Sequence, residues 1–223
     1  MEPAFWLERW QRNEIGFHQA HSHAALERLW SGLGLDRGSR VFVPLAGKSL
    51  DLLWLAAAGH CVVGIELSPI AVRDFFAEHD LTPAVERHGE FVLHRSGKIE
   101  LWCGDIFALT PAQLGPVAGA FDRAALVALP PAMRRRYAAQ MSRLLPPRAR
   151  TLLVTMEYDQ RQMPGPPHAV LEDEVRALFG TDHEITLLGR DAALADLPKF
   201  AQRGVTALAE AFYRLERRDA PAS

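Results

Sequence analysis

The sequence predicts an α/β fold: a mainly parallel sheet covered by helices on both faces. Three observations carry that expectation. Short apolar runs alternate with stretches of helical spacing along most of the chain, as strand–helix repeats require. The stretch VFVPLAGKSLDLLWLAAAGHCVVGIELS, residues 41 to 68, reads as strand, turn, helix and second strand. With 223 residues, 48% of them hydrophobic, the chain can bury one full-sized core. One domain is expected over residues 1–223, with residues 1–38 as an added helical segment rich in aromatics and 39–223 as the α/β core.

Each element has its own signal. RVFVPL, residues 40–45, is a short apolar run. Residues 49–58 have helical spacing, opening at Ser49 as N-cap and closing at Gly59. CVVGIEL, 61–67, is the next strand. Ser68 then caps a helix to about His79, with Pro69 at the first position, where a missing N–H does no harm. FVLHRSGKIELWCGDIF suggests a hairpin about Ser96-Gly97, its second arm ending at Gly104-Asp105. AFDRAALVAL gives a strand and its exit loop, PPAMRRRYAAQMSRLL a helix, and TLLVTMEY a fifth buried strand. MPGPPH, 163–168, is a loop. HEITLLGRD and LAEAFYRLERR are strand-like runs flanking a short helix, so the far edge of the sheet is expected to be antiparallel.

Composition excludes several classes. A formal net charge of −2 does not suit a surface built to neutralise a phosphate backbone. Arg134-Arg135-Arg136 reads as the solvated face of a helix. No run of eighteen apolar residues is present, and the start, MEPAFWLERW, lacks the basic-then-apolar layout of a signal peptide, so a cytoplasmic protein is expected. Cys61 and Cys103 fall in strand-like runs and read as small core residues in a reducing compartment.

The turn after the first strand narrows the ligand. A dinucleotide fold places three glycines there, so that the backbone can approach a pyrophosphate. Here Pro44 has no N–H and Leu45 adds bulk. Gly47-Lys48-Ser49 resembles the tail of a P-loop, yet Phe42 stands where that motif needs Gly. Gly32-x-Gly34 precedes the strand and has Arg37 in place of the third glycine. Glu66, by contrast, ends the second strand about twenty residues past the turn, where a carboxylate accepts hydrogen bonds from a ribose diol. A surface glutamate at a strand end would look the same in isolation. Asp105 ends the third strand, beside Glu66 if the ligand lies across the carboxyl ends of the strands. A ligand with ribose and no pyrophosphate fits, and S-adenosylmethionine is one.

Trp6, Trp10 and Phe17 stand at spacings of four and seven, the pattern of a helix burying an aromatic stripe. His18, His21 and His23 resemble a metal cluster, but only His18 and His21 would share a helical face and no suitably spaced ligand completes a site, so no metal is expected. Arg123 in isolation reads as a salt-bridge partner of Asp122 or another surface residue.

FWLERWQRNEIGFHQ (5–19), VPLAGKSLDLLWLA, VVGIELS, GDIF and FDRAALVALPP (121–131) together resemble the bacterial thiopurine S-methyltransferase family over nearly the whole chain. The W-x-x-x-W pair, the V-P-L-x-G-K-S-x-D turn and the D-R-A-A-L run carry the likeness. Ala46 departs from it, since the family commonly has Cys there. The resemblance implies a class I S-adenosylmethionine-dependent methyltransferase of Rossmann-like fold, its sheet mostly parallel with an antiparallel edge, and an N-terminal helical lid over the cofactor. It implies that Trp10, Leu45, Glu66 and Arg123 line the cofactor site, with Asp105 and Ile106 near adenine, and that Phe17 lies beside the acceptor. Arg203 is added as an acceptor contact, and Gly16 as a hinge of the lid. The implied reaction is methyl transfer to the sulfur of a small aromatic or heterocyclic thiol, with selenium or tellurium compounds as further acceptors; separately, a monomer is expected. No Cys–His or Asp–His constellation stands out, so no catalytic acid–base residue is expected. The rival readings are a binding protein that holds S-adenosylmethionine without catalysis, and a nicotinamide-dependent reductase, which would need the missing glycine loop.

Overall fold

The computed structural model describes residues 3–219. The N-terminal segment holds α1 (Pro3–Gln11) and α2 (Ala24–Leu29), followed by a single turn at Trp30–Leu33. The remaining elements are β1 (Arg40–Val43), α3 (Asp51–Ala57), β2 (Cys61–Glu66), α4 (Pro69–Glu78), β3 (Ala84–His88), β4 (Phe91–Ser96), β5 (Ile99–Cys103), α5 (Pro111–Leu114), β6 (Gly119–Arg123), α6 (Pro131–Leu144), β7 (Arg150–Glu157), α7 (Glu172–Phe179), β8 (His183–Ala192), α8 (Pro198–Gln202) and β9 (Ala209–Arg217).

The nine strands of the described residues form one sheet in the order β3-β4-β5-β2-β1-β6-β7-β9-β8. The middle, β5-β2-β1-β6-β7, is parallel. Both flanks are antiparallel, the β3-β4-β5 meander on one side and β7-β9-β8 on the other. The expected far edge and the Ser96-Gly97 hairpin are therefore present. The strand β3 was not expected, and its composition explains why: all five residues of AVERH are exposed, so there is no apolar alternation to read.

The two faces of the sheet bury different residues of the same strands. Phe42, Val63, Ile65, Leu93 and Leu153 face α6 residues Tyr137 and Met141. Val41, Val43, Val62, Leu101 and Leu152 face Leu26, Leu52, Leu55 and Phe75 from α2, α3 and α4.

Three local expectations need correction. Helix α3 begins at Asp51, with Leu50 in the capping position and no side-chain cap. Ser49 instead donates to Asp51 Oδ2 at 2.7 Å and accepts from the Asp51 N–H at 3.2 Å. The basic run is not all solvated: Arg134 is 1% exposed, donates to the Leu129 carbonyl and pairs with Glu174, while Arg135 and Arg136 are exposed. Its place is set by helical periodicity, since Arg134, Tyr137, Ala138 and Met141 share the inward stripe of α6. Cys61 and Cys103 are free and only half-buried, because each sits at an end of its strand rather than in the middle. The Ser68 cap with Pro69 at the first helical position stands as expected, accepting from the Ala71 N–H.

Candidate cofactor and acceptor site

Strand order reverses between β1 and β6. Their carboxyl ends therefore splay apart and leave a crevice where ligands of open α/β sheets bind. At this crevice two non-glycine residues adopt left-handed backbone, Leu45 just past β1 (φ 45°) and Ala124 just past β6 (φ 66°). Such residues cost about 1–3 kcal/mol each and persist where the surroundings over-determine them.

Glu66 ends β2 with its side chain buried, 6% exposed. Oε2 accepts from the Gly47 N–H at 2.9 Å and Oε1 from the Ser68 N–H at 2.7 Å. The carboxylate thus closes the β1 turn onto the β2 exit, and each oxygen keeps a further lone pair. Burial raises its pKa, and the backbone N–H bonds oppose that rise. Gly47 is required here. Its φ is 55°, and a Cβ would stand 3.4 Å from the Trp10 ring.

Trp10 is the buried residue of α1, 6% exposed. Phe17 packs edge-on against both Trp6 and Trp10, with ring centroids 5.6 Å apart in each case. The aromatics do form a cluster, but not one helical stripe: α1 stops at Gln11 and the chain folds back to bring Phe17 to the tryptophans. The left-handed residue in that return is Asn13 (φ 55°), not the expected hinge Gly16. Gly16 is instead tied to α8, its carbonyl accepting from Lys199 Nζ at 3.3 Å. His18 is half-buried, and burial with the nearby Lys48 and Arg123 charges lowers its pKa. His23 caps α2, its Nδ1 accepting from the Ala25 N–H. Among the described residues no three His, Cys, Asp or Glu side chains gather into a metal-holding group.

On the other strand ends, Asp105 is exposed and accepts from the Phe107 N–H at 2.9 Å, capping the turn that buries Ile106. Cys103 stands opposite Glu66 in the β2–β5 register, and burial together with the Glu66 charge pushes its thiol up to about 11, so it is no thiolate nucleophile at neutral pH. Arg123 ends β6 half-buried, with its pKa lowered by burial. It makes no hydrogen bond or ion pair within the described residues. Asp122 is not its partner; that carboxylate points into the core, accepting from Tyr137 Oη at 2.7 Å and the Leu126 N–H at 3.2 Å.

Arg203 stands apart from the others. It is exposed at the end of α8 with Nη1 3.6 Å from Met163 Sδ. Its link to the N-terminal segment runs through its own helix, since Lys199, four residues earlier, donates to the Gly16 carbonyl. The crevice therefore gathers Trp10, Phe17, Leu45, Glu66 and Arg123 around the β1–β6 junction, with Asp105 and Ile106 on the β5 side. Sequence reasoning did not connect Asp51, which is buried, or Glu210, which is partly buried, with Arg123, whose guanidinium their fields reach.

A buried carboxylate at one strand end, an uncommitted guanidinium at another and an aromatic cluster beside the first turn suit a nucleoside carrying a cationic and zwitterionic tail. The comparisons agree. The family model described as thiopurine S-methyltransferase matches residues 1–218. A thiopurine S-methyltransferase of Azotobacter vinelandii is 53% identical over 218 residues, 98% of this chain and 100% of that protein. One from Bordetella petrii is 48% identical over 97% of this chain and 99% of its own length. Among solved structures, an S-adenosylmethionine-dependent methyltransferase from Anabaena variabilis superposes with a TM-score of 0.66 at 12% identity, covering 97% of this chain and 95% of that one. A Burkholderia thailandensis 1,6-didemethyltoxoflavin N1-methyltransferase, solved with S-adenosylhomocysteine, gives 0.64 at 18% identity, with 97% and 87% coverage. These neighbours share the class I fold. The protein is an S-adenosylmethionine-dependent methyltransferase, and by sequence it belongs to the thiopurine S-methyltransferase family.

Proposed function

We propose that this chain methylates the sulfur of small aromatic or heterocyclic thiols, as the names of its relatives suggest, and accepts selenium or tellurium compounds as softer nucleophiles of the same kind. What supports this reading is the family match over residues 1–218, with the positive field of Arg203, exposed at the end of α8, left for the acceptor. An anionic acceptor such as a thiolate is drawn to that field, and needs no base to remove its proton.

S-adenosylmethionine, when bound, supplies a methyl group already activated on a sulfonium. The work left to the chain is alignment and exclusion of water. Glu66 would accept the ribose hydroxyls through its free lone pairs, and Asp105 and Ile106 would border the adenine. Arg123, Leu45 and Trp10 would bound the opposite end. Phe17 and Arg203 would border the acceptor. Holding donor carbon and acceptor in line at near-attack distance lowers the entropic barrier. Methyl transfer from a sulfonium to a thiolate annihilates charge, and a water-poor crevice under α1 favours that change. No general base enters this scheme.

The test is a panel of aromatic thiols, thiopurines and selenite-derived species, with amines and hydroxyl compounds as controls, assayed for S-adenosylhomocysteine release. Turnover of thiols is expected. Activity confined to amines or hydroxyls would overturn the assignment, and a fall in rate near neutral pH, abolished by replacing one His or Asp, would show that a base is used.

A further inference from the structure

Two acids, Asp51 buried and Glu210 partly buried, flank Arg123 without pairing with it among the described residues. Strand β6 lies between β1, whose exit leads to Asp51 at the start of α3, and β7, whose partner β9 carries Glu210 opposite Met156. The fields of both acids reach the guanidinium, yet among the described residues no carboxylate oxygen comes within 4 Å of it. Their hydrogen bonds explain the separation. Asp51 Oδ1 accepts from the His23 backbone N–H at 2.7 Å and Oδ2 from Ser49 Oγ at 2.7 Å. Glu210 Oε1 stands 3.2 Å from His23 Nε2. The tautomer follows from the other ring nitrogen: Nδ1 accepts from the Ala25 N–H, so Nε2 carries the hydrogen and donates to Glu210. A single residue at the base of the lid therefore occupies both acids.

We propose that His23 is a positioning residue: by engaging Glu210 and Asp51 it keeps the Arg123 guanidinium uncommitted, and so available to the carboxylate of the bound donor. The inference rests on the reading of Arg123 as a cofactor residue. Removing the imidazole frees Glu210 alone, since the backbone N–H still holds Asp51. The freed carboxylate would then capture Arg123 and withdraw it from the ligand.

The experiment is calorimetric titration of the full chain with two probes, S-adenosylhomocysteine, which has the amino-acid tail, and 5′-methylthioadenosine, which lacks it. His23→Ala is expected to weaken S-adenosylhomocysteine binding by about tenfold and leave methylthioadenosine binding unchanged, since only the first carries a carboxylate for Arg123. His23→Gln, which can still donate to Glu210, is expected to stay within about threefold of the parent. Adding Glu210→Gln to His23→Ala should restore most of the affinity, because a neutral amide cannot capture the guanidinium. Glu210→Gln by itself should bind like the parent, and it reports even if His23→Ala does not fold. Equal weakening for both probes, no weakening, loss of binding in Glu210→Gln, or failure of the double variant to recover would each overturn the proposal. Arg123→Met separates the two levels: if it weakens S-adenosylhomocysteine binding while His23→Ala does not, the positioning role falls and the site reading stands. If Arg123→Met binds like the parent, the site reading falls and takes the positioning role with it.

Discussion

Glu66 is held by two backbone N–H groups and by no cation. That arrangement makes it sensitive to a change as small as one atom. In Glu66→Gln an NH2 group must face either the Gly47 or the Ser68 N–H, leaving a buried donor against a donor. Such a mismatch costs about 1–3 kcal/mol, and the ribose would lose an acceptor as well. The expected outcome is a lower urea midpoint together with S-adenosylhomocysteine affinity reduced by about 10- to 100-fold. Affinity unchanged in a folded variant would remove Glu66 from the site. Glu66 was legible in the sequence because its position follows from strand length and the distance to the first turn. The left-handed backbone of Leu45 was not, since nothing in PLAGK distinguishes a leucine at positive φ from one in extended chain. The pairing of His23 with Glu210 was beyond reach for another reason: they are 187 residues apart, and only the docking of the start of α2 against β9 joins them.

At the level of elements, α1 is the piece whose stability should be separable from the rest. Its one buried residue is Trp10, which packs over Gly47 and against Phe17, and its Cα neighbours lie on α4. A tryptophan in a main core would cost about 3–5 kcal/mol on truncation to alanine. A lid that opens locally instead passes little of that loss to the global transition. Trp10→Ala is therefore expected to lower the unfolding free energy by about 1 kcal/mol or less, while raising the KM for S-adenosylmethionine by about tenfold. Paired urea and steady-state measurements check this; a full core-sized loss of stability with unchanged KM would make Trp10 a packing residue, the plain reading of its helical spacing. Ser68→Ala tests a different element. Losing the hydroxyl that caps α4 should cost about 1 kcal/mol, read in the same urea titration. The elements that could be read were those with two agreeing signals, as at Ser68-Pro69, where cap and first-turn proline coincide. The exposed strand β3 offered no apolar alternation to read, and α7, although Val175 and Phe179 share its buried face, opens on Leu171 with no side-chain cap to mark its start.

For the molecule as a whole, buried titratable groups set the pH dependence of stability, and they pull in opposite directions. His183 is 2% exposed and its pKa is lowered to about 4, chiefly by burial and then by Arg217. The unfolded chain binds that proton near pH 6.5 and the folded chain does not until about pH 4. Stability from this group is thus complete above pH 6.5 and is lost as pH falls toward 4. His60, His94 and His168 are lowered too, each first by burial, and act in the same sense. Asp122 acts against them. Burial pushes its pKa up to about 6 despite the hydrogen bonds from Tyr137 and Leu126, so its contribution is complete below pH 3.8 and is lost as pH rises through 6. Between about pH 4 and 6 the proton released by Asp122 offsets one of those the histidines refuse, and the net slope is shallower than the histidines would give by themselves. Asp122→Asn removes the opposing group and keeps its shape. The variant should therefore show a steeper rise of unfolding free energy from pH 4 to 6, by about 1.4 kcal/mol per pH unit at most, the value of one proton. Urea midpoints measured at pH 4.5, 5.25 and 6 for parent and variant decide it. Parallel pH profiles would mean that Asp122 stays ionised in the core throughout this range, stabilised by Tyr137 and the Leu126 N–H well enough to outweigh its burial.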